Sequence, residues 1–399
     1  MRILLLCNKS PWPPKDGGAA ATLLMIKGLS ECKASVTVLA LNTRKHFTDT
    51  AEIPPEYKTD GGFHFVKINT SINPFKLLIN LIASENPYNI ERFKSSEYKE
   101  RLSSLLKNHF DIIQVEGLSL CQYLPLIRSE TKAKVVFRPH NIENKIWSQL
   151  ADEEKNPFRK SYFMVLSKRI KKAEKEIINQ FDGVAAIAPN DLAWFKSNGL
   201  SKPSILSKPG VLTQNLKAAS DIKPMTVLFI GALDWLPNIN GLRWYVNEVW
   251  PMVLKAVPGA VFSIAGRNAS WNTRRLLKGN NIIYCGEVPS SSGFMNNKSI
   301  MIVPLFSGSG IRVKIIEGMS LGKCIVSTSF GAEGIDYVDR QNIFIADTPD
   351  DFADCVIELL RNDDLLKQTG QNAIENVRKN YDILASAENL LKFYSSLTA

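Results

Sequence analysis

The sequence GSGIRVKIIEG at residues 308–318 lies between two apolar runs that predict strands, at residues 299–305 and 324–328. A glycine-rich turn comes first, and a helix is predicted from about residue 310 to Leu321, before Gly322. This order predicts a strand–helix–strand crossover. The start of such a helix leaves backbone N–H groups unpaired, and the helix dipole adds positive potential there. The stretch therefore predicts an anion site.

Three side chains of this stretch indicate which kind of anion would bind there. Arg312 and Lys314 place two cations in the predicted first turn, and Glu317 lies deeper, where it can accept hydrogen bonds from hydroxyl groups. A diphosphate that carries a ribose fits this set. The alternative is an ordinary crossover with a flexible entry loop, because a Gly-x-Gly turn alone is a weak signal.

Composition and charge limit the class of protein. The chain has 399 residues, 45% of them hydrophobic and 22% charged, which is typical of a globular protein with two or three domains. The net charge of +10 predicts an anionic partner such as a nucleotide or a lipid head group. Nucleic acid is not expected as a partner, since the sequence has no recognised motif with interleaved aromatic residues.

The cysteines, the histidines and the first residues indicate a cytoplasmic protein. The six cysteines are scattered without a Cys-x-x-Cys pair, and there are only four histidines, so we expect reduced thiols, no metal site and no cofactor. The apolar run within residues 1–7 is too short for a signal peptide. No segment approaches the ~20 apolar residues of a membrane span.

Short apolar runs alternate with helical stretches along the whole chain, which predicts parallel sheets with crossover helices. The predicted strands are residues 3–7, 35–41, 64–68, 111–116, 134–138, 183–188, 226–232, 260–266, 281–285, 299–305, 324–328 and 343–346. Two such series predict two Rossmann-like, doubly wound α/β domains, at residues 1–208 and 223–380. A polar segment at 209–222 predicts a linker, and residues 381–399 include a predicted helix from Ile383 to Leu397.

A basic helical stretch within the first series, between the predicted strands at 134–138 and 183–188, has two interpretations. Its apolar positions are Phe163, Leu166, Ile170, Ala173 and Ile177, and its flanks carry Arg159, Lys160, Lys168, Arg169, Lys171, Lys172 and Lys175. The favoured interpretation is a solvated helix face with Glu174 and Glu176 interleaved. The alternative is a patch in peripheral contact with an anionic membrane, where each basic side chain contributes about 1 kcal/mol.

Three features of the N-terminal half follow predicted strands, at the edge where open α/β sheets bind ligands. Gly17 and Gly18 form a strand-to-helix turn that lets a ligand approach the backbone closely. His140 follows the strand at 134–138, and Glu116 ends the strand before it. The alternatives are a tight turn for the glycines, a structural histidine and a hydrogen-bonded loop carboxylate.

Together these residues resemble a glycosyltransferase of the GT-B fold, in the group 1 or family 4 class of retaining enzymes. Residues 227–238 (VLFIGALDWLPN) are similar to the start of the donor domain of that class, and residues 264–267 (IAGR) to its next glycine turn. Residues 309–322 (SGIRVKIIEGMSLG) resemble the helix that grips the nucleotide sugar. The N-terminal features match more loosely.

The resemblance implies two Rossmann-like domains across a cleft, with the nucleotide sugar on the C-terminal domain and the acceptor mainly on the N-terminal one. The last helix is expected to cross back to the first domain, and transfer is expected without a covalent intermediate or a metal. The expected donor-binding residues are Gly17, Gly18, Gly231, Gly266, Arg267, Gly308, Gly310, Ile311 and Glu317. The expected catalytic residues are His140, Ser309, Arg312 and Lys314.

The roles follow from the chemistry of sugar transfer. Backbone N–H groups of residues 308–311, with Arg312 and Lys314, are expected to stabilise the charge on the departing diphosphate. Glu317 is expected to bind the ribose hydroxyls, and His140 the donor sugar or its phosphate. The acceptor is expected to be a saccharide, a lipid-linked saccharide or a small molecule, bound near Tyr88, Arg92 and the segment 71–107.

The chain departs from the class in its charged positions. The class has two glutamates separated by seven residues, and here Ser309 replaces the first of them while Glu317 is the second. Ala232 replaces a common arginine, and residues 238–240 stand near a common lysine. Arg312 and Lys314 are expected to supply the lost charge. Two rival functions stay open: a non-catalytic subunit that binds nucleotide sugar, and a GT-B nucleotide-sugar epimerase.

Overall fold

Two separate parallel sheets organise the chain, whose computed structural model describes residues 1–214, 216, 218 and 223–399. Contacts divide these residues into two compact units. Unit 1 comprises Met1–Pro209 and Ile383–Ala399, and unit 2 comprises Gly210–Asp382. Within the predicted linker at 209–222, residues 215, 217 and 219–222 lie outside the described part of the chain.

Unit 1 is built on a seven-stranded parallel sheet with the order β3-β2-β1-β4-β5-β6-β7. Its strands are β1 (Arg2–Cys7), β2 (Ser35–Thr43), β3 (Phe63–Ile68), β4 (Ile112–Glu116), β5 (Lys134–Arg138), β6 (Gly183–Ala186) and β7 (Ser204–Leu206). Its first helices are α1 (Gly17–Glu31), α2 (Pro74–Ala83), α3 (Tyr88–Glu91), α4 (Ser96–Leu106), α5 (Leu124–Glu130), α6 (Glu143–Glu153), α7 (Pro157–Ile177) and α8 (Pro189–Ser197). The central strands are buried on both faces, as their unbroken apolar runs predict.

Unit 2 is built on a six-stranded parallel sheet with the order β10-β9-β8-β11-β12-β13. Its strands are β8 (Thr226–Ile230), β9 (Val261–Ala265), β10 (Ile282–Tyr284), β11 (Ile300–Val303), β12 (Cys324–Ser327) and β13 (Phe344–Ile345). Its helices are α9 (Leu236–Trp244), α10 (Trp250–Ala256), α11 (Trp271–Leu276), α12 (Ser291–Asn296), α13 (Val313–Ser320), α14 (Pro349–Arg361) and α15 (Asp363–Asn380). A π-helical turn, Tyr245–Val249, joins α9 to α10.

The prediction of two doubly wound α/β sheets is confirmed. Each predicted strand is present, with ends that differ by at most two residues. The strand β7 was not predicted, because its three residues are only half-buried and lack a distinct apolar run.

The final helix, α16 (Ile383–Thr398), packs in unit 1 against α1. Close packing requires Gly28 of α1, since a Cβ there would lie 3.0 Å from the carbonyl oxygen of Ile383 and 3.1 Å from Cβ of Ala387. Further along the helix, the hydroxyl of the fully buried Tyr394 donates a hydrogen bond to the side chain of Gln114 in β4. The last residues of the chain are thus part of the core of unit 1.

The prediction that Glu174 lies on a solvated face of α7 is wrong. Its side chain is buried and accepts hydrogen bonds from the backbone N–H of Glu143, at 2.7 Å, and from the side chain of Asn144. Both partners lie at the start of α6, where Ile142 provides no capping side chain. Glu174 therefore caps a second helix, and burial raises its pKa to about 8.

Candidate functional site

The strand order of unit 2 defines where a ligand is expected. The chain runs from β8 outward to β10 and then returns to the other side of β8 with β11. The loops that follow β8 and β11 therefore diverge at the carboxyl ends of two neighbouring strands. Ligands of open α/β sheets bind at such a switch point. The loop after β11 contains residues 308–312, the first five residues of the glycine-rich stretch.

The helix in this stretch begins three residues later than predicted. Gly308 and Gly310 have φ angles of 122° and 77°, so the chain stays in a turn and α13 begins at Val313 with Arg312 as its N-cap residue. The N–H of Val313 donates to the carbonyl of Ile311 at 3.1 Å. The first N–H group of α13 is thus used inside the turn itself, and the side chain of Ile311 is buried.

Arg312 folds back onto its own loop. Its guanidinium donates hydrogen bonds to the carbonyl oxygens of Ser309, at 3.0 Å, and Gly310. The same group lies over the ring of Phe330, 5.4 Å from the centroid. Arg312 therefore fixes the conformation of the loop that carries Ser309.

Lys314 is the charged group that reaches the switch point. Its Nζ donates to the carbonyl oxygen of Ile230, at 3.1 Å, and to Oδ1 of Asn238, at 3.4 Å, and it lies 4.7 Å from the ring centroid of Phe229. The ammonium group is thus held at the carboxyl end of β8. Burial and the nearby charge of Arg312 lower the pKa of Lys314 to about 7.

The two predicted glycines at this edge allow β8 and β9 to end in close contact. A Cβ on Gly266 would lie 2.1 Å from the carbonyl oxygen of Gly231, and a Cβ on Gly231 would lie 2.8 Å from Nδ2 of Asn238. The same Nδ2 donates to the carbonyl of Ala232 at 2.9 Å. Gly231, Gly266 and Lys314 therefore meet at one place, with Asn238 as the side chain that joins them.

In the sequence, Arg267 and Glu317 lie near Gly266 and Lys314, but their contacts are different from those of Lys314. The backbone carbonyl of Arg267 accepts a hydrogen bond from Leu233 at 2.9 Å, and its buried Nε has no hydrogen-bond partner among the described residues. Glu317, on α13, accepts a hydrogen bond from the hydroxyl of Ser291. Burial raises the pKa of Glu317, while the Ser291 hydrogen bond opposes that shift.

Unit 1 has a second candidate site at its own switch point, between β1 and β4. Gly17 and Gly18 are the first residues of α1, capped by Asp16, which accepts hydrogen bonds from the N–H of Ala19 at 2.9 Å and from Nζ of Lys9 at 2.6 Å. A Cβ on Gly18 would lie 3.1 Å from Nδ1 of His140. The glycine turn and the histidine, predicted separately, therefore lie side by side.

A buried ion pair positions His140. Its Nε2 contacts the carboxylate of Glu116, which also forms a 3.1 Å ion pair with Nη1 of Arg138. Burial alone would raise the pKa of Glu116, but Arg138 and His140 lower it to about 2. The carboxylate is ionised at neutral pH, so it accepts the Nε2 hydrogen and directs Nδ1 of His140 towards Gly18.

Arg138, Lys9 and Asp16 are part of this candidate site but were not predicted from the sequence. Arg138 ends β5 as Glu116 ends β4, and these two residues are paired in the parallel register. That parallel position at two strand ends was a usable signal. Two further nitrogen atoms of Arg138, Nε and Nη2, are buried and have no hydrogen-bond partner in the described part of the chain.

Two other expectations concern metal and membrane. No group of three or more His, Cys, Asp and Glu side chains that could hold a metal ion occurs within residues 1–214, 216, 218 and 223–399. In the same residues, no helix combines the length and the apolar character that crossing a bilayer requires.

Comparison with known proteins agrees with this architecture. Residues 224–362, which include the Lys314 site, match the family model of group 1 glycosyl transferases. An uncharacterized 44.6 kDa protein in the cps region of Klebsiella pneumoniae is 24% identical over 390 residues, which cover 96% of each chain.

Two solved structures are similar over almost their whole length. Sucrose-phosphate synthase from Thermosynechococcus elongatus has a TM-score of 0.72 and 14% identity, covering 100% of this chain and 99% of that one. TarM from S. aureus, as the G117R mutant in complex with fondaparinux, alpha-GlcNAc-glycerol and UDP, has a TM-score of 0.69 and 13% identity, covering 99% and 100%. The chain has the GT-B fold, and its residues 224–362 are similar to group 1 glycosyl transferases.

Proposed function

We propose that this protein is a retaining glycosyltransferase that moves a sugar from a nucleoside-diphosphate sugar to an acceptor hydroxyl. The observation that carries the proposal is the position of Lys314, whose ammonium group is held at the switch point of the sheet in unit 2. The match of residues 224–362 to group 1 glycosyl transferases supports the donor class, and the UDP in the TarM complex supports a uridine nucleotide.

The chemistry assigned to unit 2 is stabilisation of the leaving group. Two of the three N–H donors of Lys314 contact Ile230 and Asn238, so the third is available to a phosphate oxygen. A cation at this point offsets the negative charge that grows on the diphosphate as the sugar leaves. Glu317 binds the ribose hydroxyls with the carboxylate oxygen that does not contact Ser291.

The chemistry assigned to unit 1 is positioning of the sugar. Glu116 holds one nitrogen of His140, so Nδ1 faces the glycine turn, where the missing side chain of Gly18 lets the imidazole approach the backbone. His140 then forms a hydrogen bond to a hydroxyl or phosphate of the donor near the reacting carbon. The acceptor hydroxyl attacks the anomeric carbon from the face that the diphosphate leaves, the bond from this carbon to the phosphate oxygen breaks, and the hydroxyl proton passes to that departing oxygen. The product therefore keeps the configuration of the donor.

The acceptor is proposed to be a saccharide, either free or linked to a lipid. The saccharide ligands of the TarM complex and the cps-region relative support this choice. We include peripheral contact with an anionic membrane and a role in polysaccharide biosynthesis in the proposal. The basic exposed side chains of α7 support the membrane contact.

The test is a thermal-shift screen against UDP-, GDP-, ADP- and dTDP-sugars, followed by a transfer assay with saccharide acceptors. A donor present at 100 times its dissociation constant stabilises the folded state by about 2.7 kcal/mol. We expect one nucleotide class to raise the melting temperature and the transferred sugar to keep its anomeric configuration by NMR. Inversion would disprove the retaining mechanism.

The same assays decide between the proposal and its rivals. Donor binding without transfer to any acceptor would indicate a non-catalytic binding subunit, which the Ser309 replacement favours. Conversion of the donor to an isomeric sugar would indicate an epimerase. Absence of stabilisation by all four nucleotide classes would reject each of these functions.

A further inference from the structure

The helix α2 in unit 1 is apolar on both of its sides. Leu77, Asn80 and Leu81 face the protein and are covered, wholly or in part. The opposite face carries Phe75, Leu78, Ile79 and Ile82, which are 71%, 52%, 49% and 80% exposed and follow the i, i+3, i+4, i+7 spacing of one helix side. A helix with large apolar side chains on two opposite sides is normally buried on both of them. Among the residues that the structure describes, none covers the side that carries Phe75 and Ile82.

The orientation of this apolar face is fixed by polar contacts at both ends of α2. Asn73 caps the first turn, accepting hydrogen bonds from two backbone N–H groups. At the other end, the guanidinium of Arg169 in α7 donates to the carbonyl oxygens of Asn80, at 3.1 Å, and Leu81, at 2.8 Å. The apolar side chains therefore project from a helix that is held in place, so a rotation of the helix that would bury them is opposed by these contacts.

Basic side chains accompany the apolar face. Lys168, Lys171, Lys172 and Lys175 form an exposed row on α7, the helix that holds the end of α2 through Arg169. The amino-terminal half of the same helix adds exposed apolar residues, with Phe158 at 85% exposure. An apolar helix side next to a row of lysines is typical of elements that lie in the interface of an anionic membrane.

We propose that α2 inserts its outward face into an anionic phospholipid bilayer, with the lysine row of α7 on the lipid head groups. A second copy of this chain fits less well, because a two-fold contact through α2 would bring two lysine rows towards each other. The chain as a whole carries a net charge of +10, which adds attraction to an anionic surface. The inference rests on the membrane contact of the proposed function and specifies the element that makes it, but it does not require the transferase activity.

The experiment is flotation of the full-length protein with phosphatidylcholine vesicles, with and without 30% phosphatidylglycerol (about one anionic lipid in three). We expect binding only to the anionic vesicles. Phe75→Ser together with Ile82→Ser should lower the partition coefficient about 100-fold, from the loss of two inserted apolar side chains. Neutralising Lys168, Lys171 and Lys175 to glutamine should lower it about 100-fold, since each is worth roughly fivefold near such a surface.

Trp271→Ser is the matched control, because this side chain is 72% exposed but lies on α11 of unit 2. We expect the control to bind like the wild type, and all variants to keep the wild-type melting temperature. Failure of the wild type to float, or equal binding by the Phe75 and Ile82 variant, would overturn the proposal. The proposal would also be overturned if the wild type were a dimer that the Phe75 and Ile82 variant converts to a monomer, since a second copy would then cover α2. Donor-induced thermal shifts, measured without vesicles, report separately on the proposed function.

Discussion

The lowered pKa of Lys314 predicts that donor binding takes up a proton. With a pKa of about 7, most of the free protein carries a neutral amine at pH 8. A diphosphate next to Nζ favours the charged form, and an opposite charge at this range raises a lysine pKa by about 1–3 units. Both phosphates of a nucleotide sugar are esterified, so neither of them titrates near neutral pH. The proton taken up on donor binding is therefore bound by the protein and not by the nucleotide sugar.

The size of this effect follows from the two pKa values. At pH 8 a group with a pKa near 7 is about 10% protonated, and a shift of two units makes it about 90% protonated, so binding takes up roughly 0.8 proton. At pH 6 the group is already charged and the uptake is close to zero. Because only the charged form binds well, affinity should fall by about tenfold per pH unit above pH 7, until the pKa of the bound state is reached.

The assay is isothermal titration calorimetry with the UDP-sugar selected by the screen, in buffers of different ionisation enthalpy at pH 6 and pH 8. Lys314→Ala should abolish the uptake and raise the dissociation constant about 10- to 150-fold, from the loss of a charge-assisted hydrogen bond. Lys278→Ala, which removes an exposed lysine of unit 2, should behave like the wild type. Equal proton uptake by Lys314→Ala and the wild type would refute the assignment of the diphosphate to Lys314.

Three further variants test other parts of the structure. Glu116→Gln should destabilise unit 1 by about 3–5 kcal/mol in urea unfolding, because it leaves Arg138 buried without a counter-ion. Since the pKa of Glu116 is lowered to about 2, its stabilising effect is present above pH 4.5 and is lost as the pH falls towards 2, and acid titration by circular dichroism should show this loss only in the wild type. Gly266→Ala should cost about 1–3 kcal/mol in thermal unfolding, since its Cβ meets the Gly231 carbonyl. Glu174→Ala should cost about 1–3 kcal/mol through the uncapped start of α6, and an unchanged melting temperature would contradict the capping role.

The fold was predictable because its signals are local. Runs such as Arg2–Cys7 and Ile300–Val303 are apolar at nearly every position, and this alone indicates strands that are covered on both faces. Two series of such runs then imply two sheets. The three-residue strand Ser204–Leu206 has no such signal, because it is half-buried along its whole length.

The site was only partly predictable, because its contacts join residues that are far apart in the chain. The pattern indicated that Lys314 is a functional cation, but its partner Ile230 lies 84 positions earlier and contributes only a carbonyl oxygen. Arg312 has the same charge and a similar position in the sequence, yet it folds onto its own loop. Glu174 seemed solvated because its neighbours in α7 are basic, whereas its partners at the start of α6 are about thirty positions away.

The main chain passes from one unit to the other twice, between Pro209 and Gly210 and again between Asp382 and Ile383. In unit 2 the N–H of Val211 donates to the carbonyl of Tyr381 at 2.9 Å, and in unit 1 the hydroxyl of Ser386 donates to the carbonyl of Lys208 at 3.0 Å. In each unit, therefore, the two points where the main chain enters and leaves lie next to each other, which is the arrangement of a domain inserted into another. Residues 210–382 can be excised as one continuous gene fragment, and the remaining halves of the host domain can be closed with a short glycine-serine bridge. Each unit can then be tested for its own ligand. A truncation that removes only the last 17 residues should damage unit 1 and leave unit 2 intact.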